Sequence, residues 1–215
     1  MEGDILILNE DHLKAGDQAV KLIINEIKAT NRKYLITVAG ESGAGKSEVA
    51  EAISRSLKKN GITSYIFAQD DYFVLPPKSN SEKRKKNIKW VGTGEVRLDL
   101  LNEEITQIKS GHYTFDKPLV KFNENTIESE RINLEPFKVI IFEGTYTTLL
   151  KNTDTRIFID RDYHDTRSAR LKRNREKQDD FLEQILNIEH DIISKHKKKA
   201  DLLVTENYDV IKNNI

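Results

Sequence analysis

The residues Gly40-Glu41-Ser42-Gly43-Ala44-Gly45-Lys46-Ser47 fit the pattern G-x-x-x-x-G-K-[ST]. Glycines at these positions let the backbone curl until successive N–H groups face phosphate oxygens, and a helix starting there adds its positive end. In such a cradle Lys46 reaches the β- and γ-phosphates of a nucleoside triphosphate, and the Ser47 hydroxyl ligates Mg²⁺. The chemistry this predicts is binding of ATP·Mg²⁺ and transfer of its terminal phosphoryl group to a hydroxyl. Transfer also needs carboxylates, one holding the metal or its waters and one orienting and deprotonating the attacking hydroxyl. Asp70 and Asp71 follow the run ITSYIFA-Gln69, Glu143 follows VIIF, and Asp160 follows RIFI. Glu143 suits the metal. Asp70 suits the base, with the metal in its reach. Asp160 is the weakest of the set, because acids at strand ends also cap helices.

These groups meet only if the elements carrying them share an edge. Tyr34–Ala39 is a short β-branched strand ending at Gly40, and Val49, Ala52, Ile53 and Leu57 mark the following helix, stopped at Asn60-Gly61. Ile62–Ala68, Val139–Phe142, Arg156–Ile159 and Ala200–Thr205 read as further strands, the last closing the sheet. Helical spacing recurs at Val20, Ile23, Ile24 and Ile27, at Leu98, Leu101, Ile105 and Ile108, and at Phe181, Ile185, Ile188 and Ile192. Strands alternating with helices, several apolar throughout, predict an α/β fold: a parallel sheet of the P-loop NTPase type with helices on both faces. Such a sheet gathers the C-terminal ends of its strands, where ligands bind. Between Asp71 and Gly94 the periodicity fails, and this stretch reads as a long loop with a basic run at Lys83–Lys86. Residues 113–134 read as a hairpin-like insertion around Pro118 on the substrate side. Residues 163–178 read as an Arg-rich lid in which Arg167, Arg170, Lys172, Arg173 and Arg175 bring positive charge to the phosphates and closure expels water. Residues 1–215 are expected to form a single kinase domain.

Two P-loop classes are disfavoured: there is no N/T-K-x-D for guanine and no LSGGQ-like signature. GESGAGKS, QDDYF (69–73), VRLDLL (96–101), VIIFEGTY (139–146), the run FIDRD with its later arginines, and KKADLLV (198–204) together resemble the uridine kinase/phosphoribulokinase family over residues 34–205. The phosphate loop is common to many families; QDDYF and the apolar-Glu-Gly segment are more selective. The resemblance implies a kinase in which Asp70 is the base acting on a sugar hydroxyl, Ser47 and Glu143 serve Mg²⁺, and Arg170 and Arg173 belong to the lid. It also implies that adenine lies near the loop after Ala200–Thr205. The sequence departs from the family where pyrimidine nucleosides are recognised: Val120 and Asn125 stand at the usual Tyr and His positions, Ile127 at an Arg position, and WVGTGEV (90–96) replaces a segment like DHPDAFD. Phe122 is kept; Gln178 and Asp180 replace later lid arginines. The reading is therefore a uridine kinase-like enzyme. The alternatives are a kinase of a sugar, sugar phosphate or pantothenate-like acceptor, and a nucleotide-binding regulatory module with little transfer.

On the acceptor side Tyr72, Phe73 and Trp90, with Phe122, are the candidate substrate contacts; Tyr146 lies there too, and Phe115 reads as packing. The five histidines lack metal-ligand spacing and are expected at the surface. Lys+Arg and Asp+Glu number 35 each, so no global charge draws the chain to nucleic acid or membrane. With no cysteine, disulfides and thiolate chemistry are excluded. No stretch reaches the roughly 18 apolar residues of a membrane span, and the N-terminus does not read as a secretory signal. A cytoplasmic protein with a small-molecule partner follows as the expectation, with homo-oligomerisation open.

Overall fold

The computed structural model describes residues 6–167, 170–171 and 179–214. The chain runs through α1 (Glu10–Ala29), β1 (Tyr34–Gly40), α2 (Lys46–Lys59), β2 (Ser64–Ala68), α3 (Pro77–Lys86), α4 (Leu98–Lys109), β3 (Thr114–Lys121), β4 (Thr126–Asn133), β5 (Val139–Glu143), β6 (Thr155–Ile159), α5 (Asp180–Ile193), β7 (Leu202–Val204) and β8 (Val210–Lys212). Six strands form one sheet in the order β2-β5-β1-β6-β7-β8. All neighbours are parallel except β7 and β8. Every residue of β1 and β5 is buried, as expected of central strands covered on both faces.

One face is covered by α1 and α2, whose Val20, Ile23, Ile27, Val49, Ile53 and Leu57 pack on Ile36, Val38, Ile141 and Ile159. The other carries α4 and the end of α5, with Leu101, Ile105, Ile108 and Ile193 packed on Leu35, Ile140, Phe142 and Phe158. Each such side chain contributes about 1.5–3 kcal/mol by leaving water. The approach of α1 to α2 depends on Gly16, where a Cβ would lie 2.5 Å from the Ala52 carbonyl carbon.

Three features differ from the sequence-based expectation. The stretch after Asp71 is not all loop, because residues 77–86 form α3. Only Asn80 of that helix is buried, so it carries no apolar period to detect. Pro77 at its first turn supplies the fixed φ that suits a helix start. Secondly, the sheet does not end at β7: Val204 pairs with Val210 of the antiparallel edge strand β8. Thirdly, the 113–134 insertion is a two-stranded antiparallel ribbon, but Pro118 lies within β3, opposite Ser129, and the turn falls at residues 122–125. No described helix is long and apolar enough to cross a membrane.

Candidate active site

Residues 40–47 form the connection from β1 into α2, which starts at Lys46. Gly43 (φ 78°) and Gly45 (φ 93°) occupy the left-handed region open to glycine. Gly45 is the N-cap of α2 and offers no side chain to its first turn, which suits that turn to an anion. The Lys46 ammonium lies 3.0 Å from the Glu41 carbonyl oxygen, bracing the loop across its mouth.

Register places the acids. Glu143, the last residue of β5, pairs with Val38 of β1 on one side and with Ala68 of β2 on the other. Asp70 follows Ala68 by two residues in a short 3₁₀ turn and is half-buried. Burial pushes the Glu143 carboxyl well above the ordinary carboxylate range, and the Asp70 charge pushes it further; the Lys46 ammonium and a hydrogen bond from Ser47 pull it down. Lys46, Ser47, Asp70 and Glu143 therefore share one electrostatic site. A desolvated carboxylate, a second carboxylate and a hydroxyl are hard oxygen donors of the kind Mg²⁺ takes, usually with only one or two protein carboxylates and the rest from phosphate and water. Among the described residues no group of three or more His, Cys, Asp or Glu could hold a metal by itself.

Thr166 and Arg170, in the stretch expected to form a lid, lie directly on the phosphate loop. The Thr166 hydroxyl donates to the Ser42 carbonyl at 2.9 Å, and Arg170 Nη1 donates to the Tyr163 carbonyl and to Thr166 Oγ1. A Cβ on Gly43 would fall 2.8 Å from Arg170 Cγ, so the close approach itself needs glycine. Arg173, Lys172, Arg175 and Gln178 lie outside the described residues. Asp160 pairs with the Lys197 ammonium at 2.6 Å.

Sequence reasoning missed the ties around this loop. Glu41 Oε1 lies 2.7 Å from His190 Nδ1 on α5, and Glu41 Oε2 accepts from the Tyr163 N–H at 2.8 Å. Burial raises the Glu41 pKa and His190 opposes the rise. The histidines are not all at the surface. His196 is buried against Thr148 Oγ1 at 2.9 Å, and burial depresses its pKa to about 4. His12 is buried on α1, with Nε2 3.2 Å from the Tyr208 hydroxyl, which accepts from Arg161. A Cβ on Gly45 would meet both Tyr208 Oη and His12 Nε2 within 3.2 Å, so the segment after β7 comes beside the phosphate loop. Glutamate at the second loop position was the one visible signal; His190 and His12 carried none.

The aromatics expected on the acceptor side separate. Tyr72 is fully buried, its hydroxyl donates to Glu104, and it packs in the core below the sheet edge, so the stacking role is withdrawn. Phe73 is half-buried and bridges to Val96. Trp90 donates to Asn80 Oδ1 at 2.8 Å and lies under the Lys83 ammonium, 3.2 Å from the ring centroid. Phe122 is half-buried in the β3–β4 turn. Phe115 stacks on Phe67, in keeping with packing. Asp71 is buried and holds the hairpin, accepting from Lys117 at 3.3 Å and from the Val120 N–H at 3.0 Å. Val120 is itself fully buried. Asn125 Oδ1 accepts from the Lys78 N–H at 2.8 Å, capping α3 from another element.

Residues 35–209 match the family described as Phosphoribulokinase / Uridine kinase. A uridine kinase of Bacillus cereus is 30% identical over 190 residues, which cover 82% of this chain and 87% of that one. A bifunctional alpha-galactosidase/sucrose kinase AgaSK of Mediterraneibacter gnavus is 26% identical over 190 residues; the match covers 82% of this chain and only 20% of that longer protein. Among solved structures, a putative fructose transport system kinase from Silicibacter sp. superposes with a TM-score of 0.63 at 14% identity, covering 86% of this chain and 94% of that one. A D-glycerate 3-kinase from Cryptococcus neoformans superposes with a TM-score of 0.60 at 14% identity, covering 95% and 99%. At such identity the superpositions speak for the shared fold alone.

Proposed function

This chain belongs to the phosphoribulokinase/uridine kinase family, and from that premise we propose that it transfers the γ-phosphoryl group of ATP to a sugar-type hydroxyl of a small molecule. The observation that carries the reading is the meeting of Lys46, Ser47, Asp70 and Glu143 at one sheet edge. In this reading Asp70 orients the acceptor hydroxyl and takes its proton as the oxygen–phosphorus bond forms and the bond to the ADP oxygen breaks. Lys46 and the loop N–H groups hold the phosphates, and lid arginines, Arg170 and Arg173 among them, neutralise charge that spreads in the transition state. Ser47 and Glu143, with Asp70 beside them, would hold Mg²⁺, which supplies charge neutralisation at the phosphate oxygens.

Two acceptors compete. A nucleoside is supported by likeness to uridine kinases. A sugar without a base is supported by Val120 and Asn125: one is buried in the hairpin and the other is taken up in capping α3, so neither is free to read a pyrimidine. A hydroxyl panel of uridine, cytidine, free sugars, glycerate and pantothenate, read by ADP release, separates them. Dominant turnover of uridine or cytidine selects the nucleoside. Tight ATP binding with no acceptor turned over would overturn the kinase reading and leave a nucleotide-binding module.

A further inference from the structure

The strands that carry the two proposed acids stop together. Ala68 of β2 and Glu143 of β5 are the last pair of their parallel ladder. Beyond it β2 enters the 3₁₀ turn of residues 69–72, which holds Asp70, and β5 turns through Gly144 toward Tyr146. The β5 side of this junction is pinned to the central strand. The Gly144 N–H donates to the Val38 carbonyl at 3.0 Å, and the Thr147 hydroxyl donates to the same oxygen at 3.1 Å.

The Asp70 turn is tied to that junction by the side chain of Gln69. Gln69 is 2% exposed, and its Oε1 accepts from the Tyr146 N–H at 2.7 Å, one further bond across the strand ends after the ladder has stopped. On its way the side chain lies flat on Gly144. A Cβ there would fall 2.2 Å from Gln69 Cβ and 2.9 Å from its Cδ, so the crossing needs glycine directly after Glu143. The residue before Asp70 thus touches the residue after Glu143. Two carboxylates brought this near repel unless a cation offsets them, and a bond between their turns opposes the separation.

We propose that Gln69 is a positioning residue: by bridging the two strand-end turns it holds Asp70 in a fixed setting relative to Glu143 and so aims the base at the acceptor hydroxyl. The inference rests on the proposed kinase function, in which Asp70 takes the proton. The Gln69 bond goes to a backbone N–H and not to a ligand, so its loss acts on the transfer step and spares binding. A misplacement of about 1 Å at a reacting group costs up to ~10²-fold in rate.

The test is steady-state kinetics and thermal unfolding of Gln69→Met, Gln69→Asn and Gln69→Glu, each also in the Asp70→Asn background, with the best acceptor from the hydroxyl panel. Methionine keeps the length but not the accepting oxygen, and asparagine is one methylene too short to reach. Each should lower kcat about tenfold with KM for ATP and for acceptor within about twofold. Glutamate, held neutral by burial beside two other acids, keeps the accepting oxygen and should keep kcat within about threefold. In the Asp70→Asn background none of the three should lower kcat further, because the group they misplace is already disabled. An unchanged kcat in Gln69→Met and Gln69→Asn, an equal loss in Gln69→Glu, or a loss that multiplies with that of Asp70→Asn overturns this inference alone. So does loss of the fold in both shortened and thioether variants, which would make the bond a structural one. A wild-type protein that turns over no acceptor overturns the kinase reading and this inference together.

Discussion

The sheet edge that carries the phosphate loop and the flap made by α3, residues 92–97 and the β3–β4 ribbon are built by different means. At the edge, backbone register does the placing: Val38, Ala68 and Glu143 lie side by side in three parallel strands, and the phosphate loop leaves the central one. In the flap, side chains do the placing. Asp71 grips Lys117 and the Val120 N–H, Asn125 caps α3, and Glu95 gathers Asn80, Arg84 and Gly92. A register shift would undo the whole sheet, whereas a flap tie can be exchanged singly. Under the proposed function, the edge is the part a family can hold constant, and the flap the part in which acceptor choice can vary.

If that division holds, the largest effect belongs to the edge. Asp70→Asn should lower acceptor-dependent ADP release by about 10²–10⁴-fold while ATP·Mg²⁺ still binds; a variant retaining full turnover would remove Asp70 as base. Next comes the core beneath both regions, where burial, with a small push from Glu103, raises Glu104 to about 7 despite the Tyr72 hydrogen bond and the Lys117 and Arg97 charges. Folded Glu104 keeps its proton up to that pH while the unfolded chain releases it near the ordinary value of about 4.3. The folded state binds more protons between those values, so this group's contribution to stability falls as pH rises through that window and stays low above it. Glu104→Gln should therefore be more stable than wild type by about 3–4 kcal/mol at pH 8 and nearly equal at pH 4, as measured by denaturant unfolding. The depressed His196 acts in the opposite sense below about pH 6.5, and the difference between the two proteins cancels it.

Two smaller effects sharpen the contrast. Glu41→Gln removes the charge facing His190 and should weaken ATP binding about fivefold while leaving acceptor KM in place, as read by calorimetry and steady-state kinetics. Asn125→Ala should do the reverse, costing about 1 kcal/mol of stability through the lost α3 cap and raising acceptor KM with ATP affinity intact. If both variants disturb both ligands equally, edge and flap are one unit.

The same division explains what could be read from the sequence. The phosphate loop, the core strands and the strand-end acids were legible because glycine spacing, apolar runs and the parallel-sheet rule are local signals that converge on one edge. Helix α3 was not, since a helix whose only buried residue is Asn80 carries no period. Nor was the withdrawal of Tyr72 into the core visible, because aromatic residues serve stacking and packing alike, and only its contact with Glu104, 32 positions away, decides. The same holds for Glu41–His190, joined across 149 positions. The lid arginine Arg173 lies outside the described residues, so its role rests on sequence.

The seating of α1 against α2 has a practical consequence. The family match begins at residue 35, beyond this helix, yet α1 supplies Ala15, Ala19, Val20, Ile23 and Ile27 to the apolar layer over the sheet. A fragment cut at the family boundary would bare Val49, Ile53 and Leu57 to water and would also lose His12 from beside Gly45. Such a truncated protein would self-associate through that uncovered layer before its catalysis could be assayed.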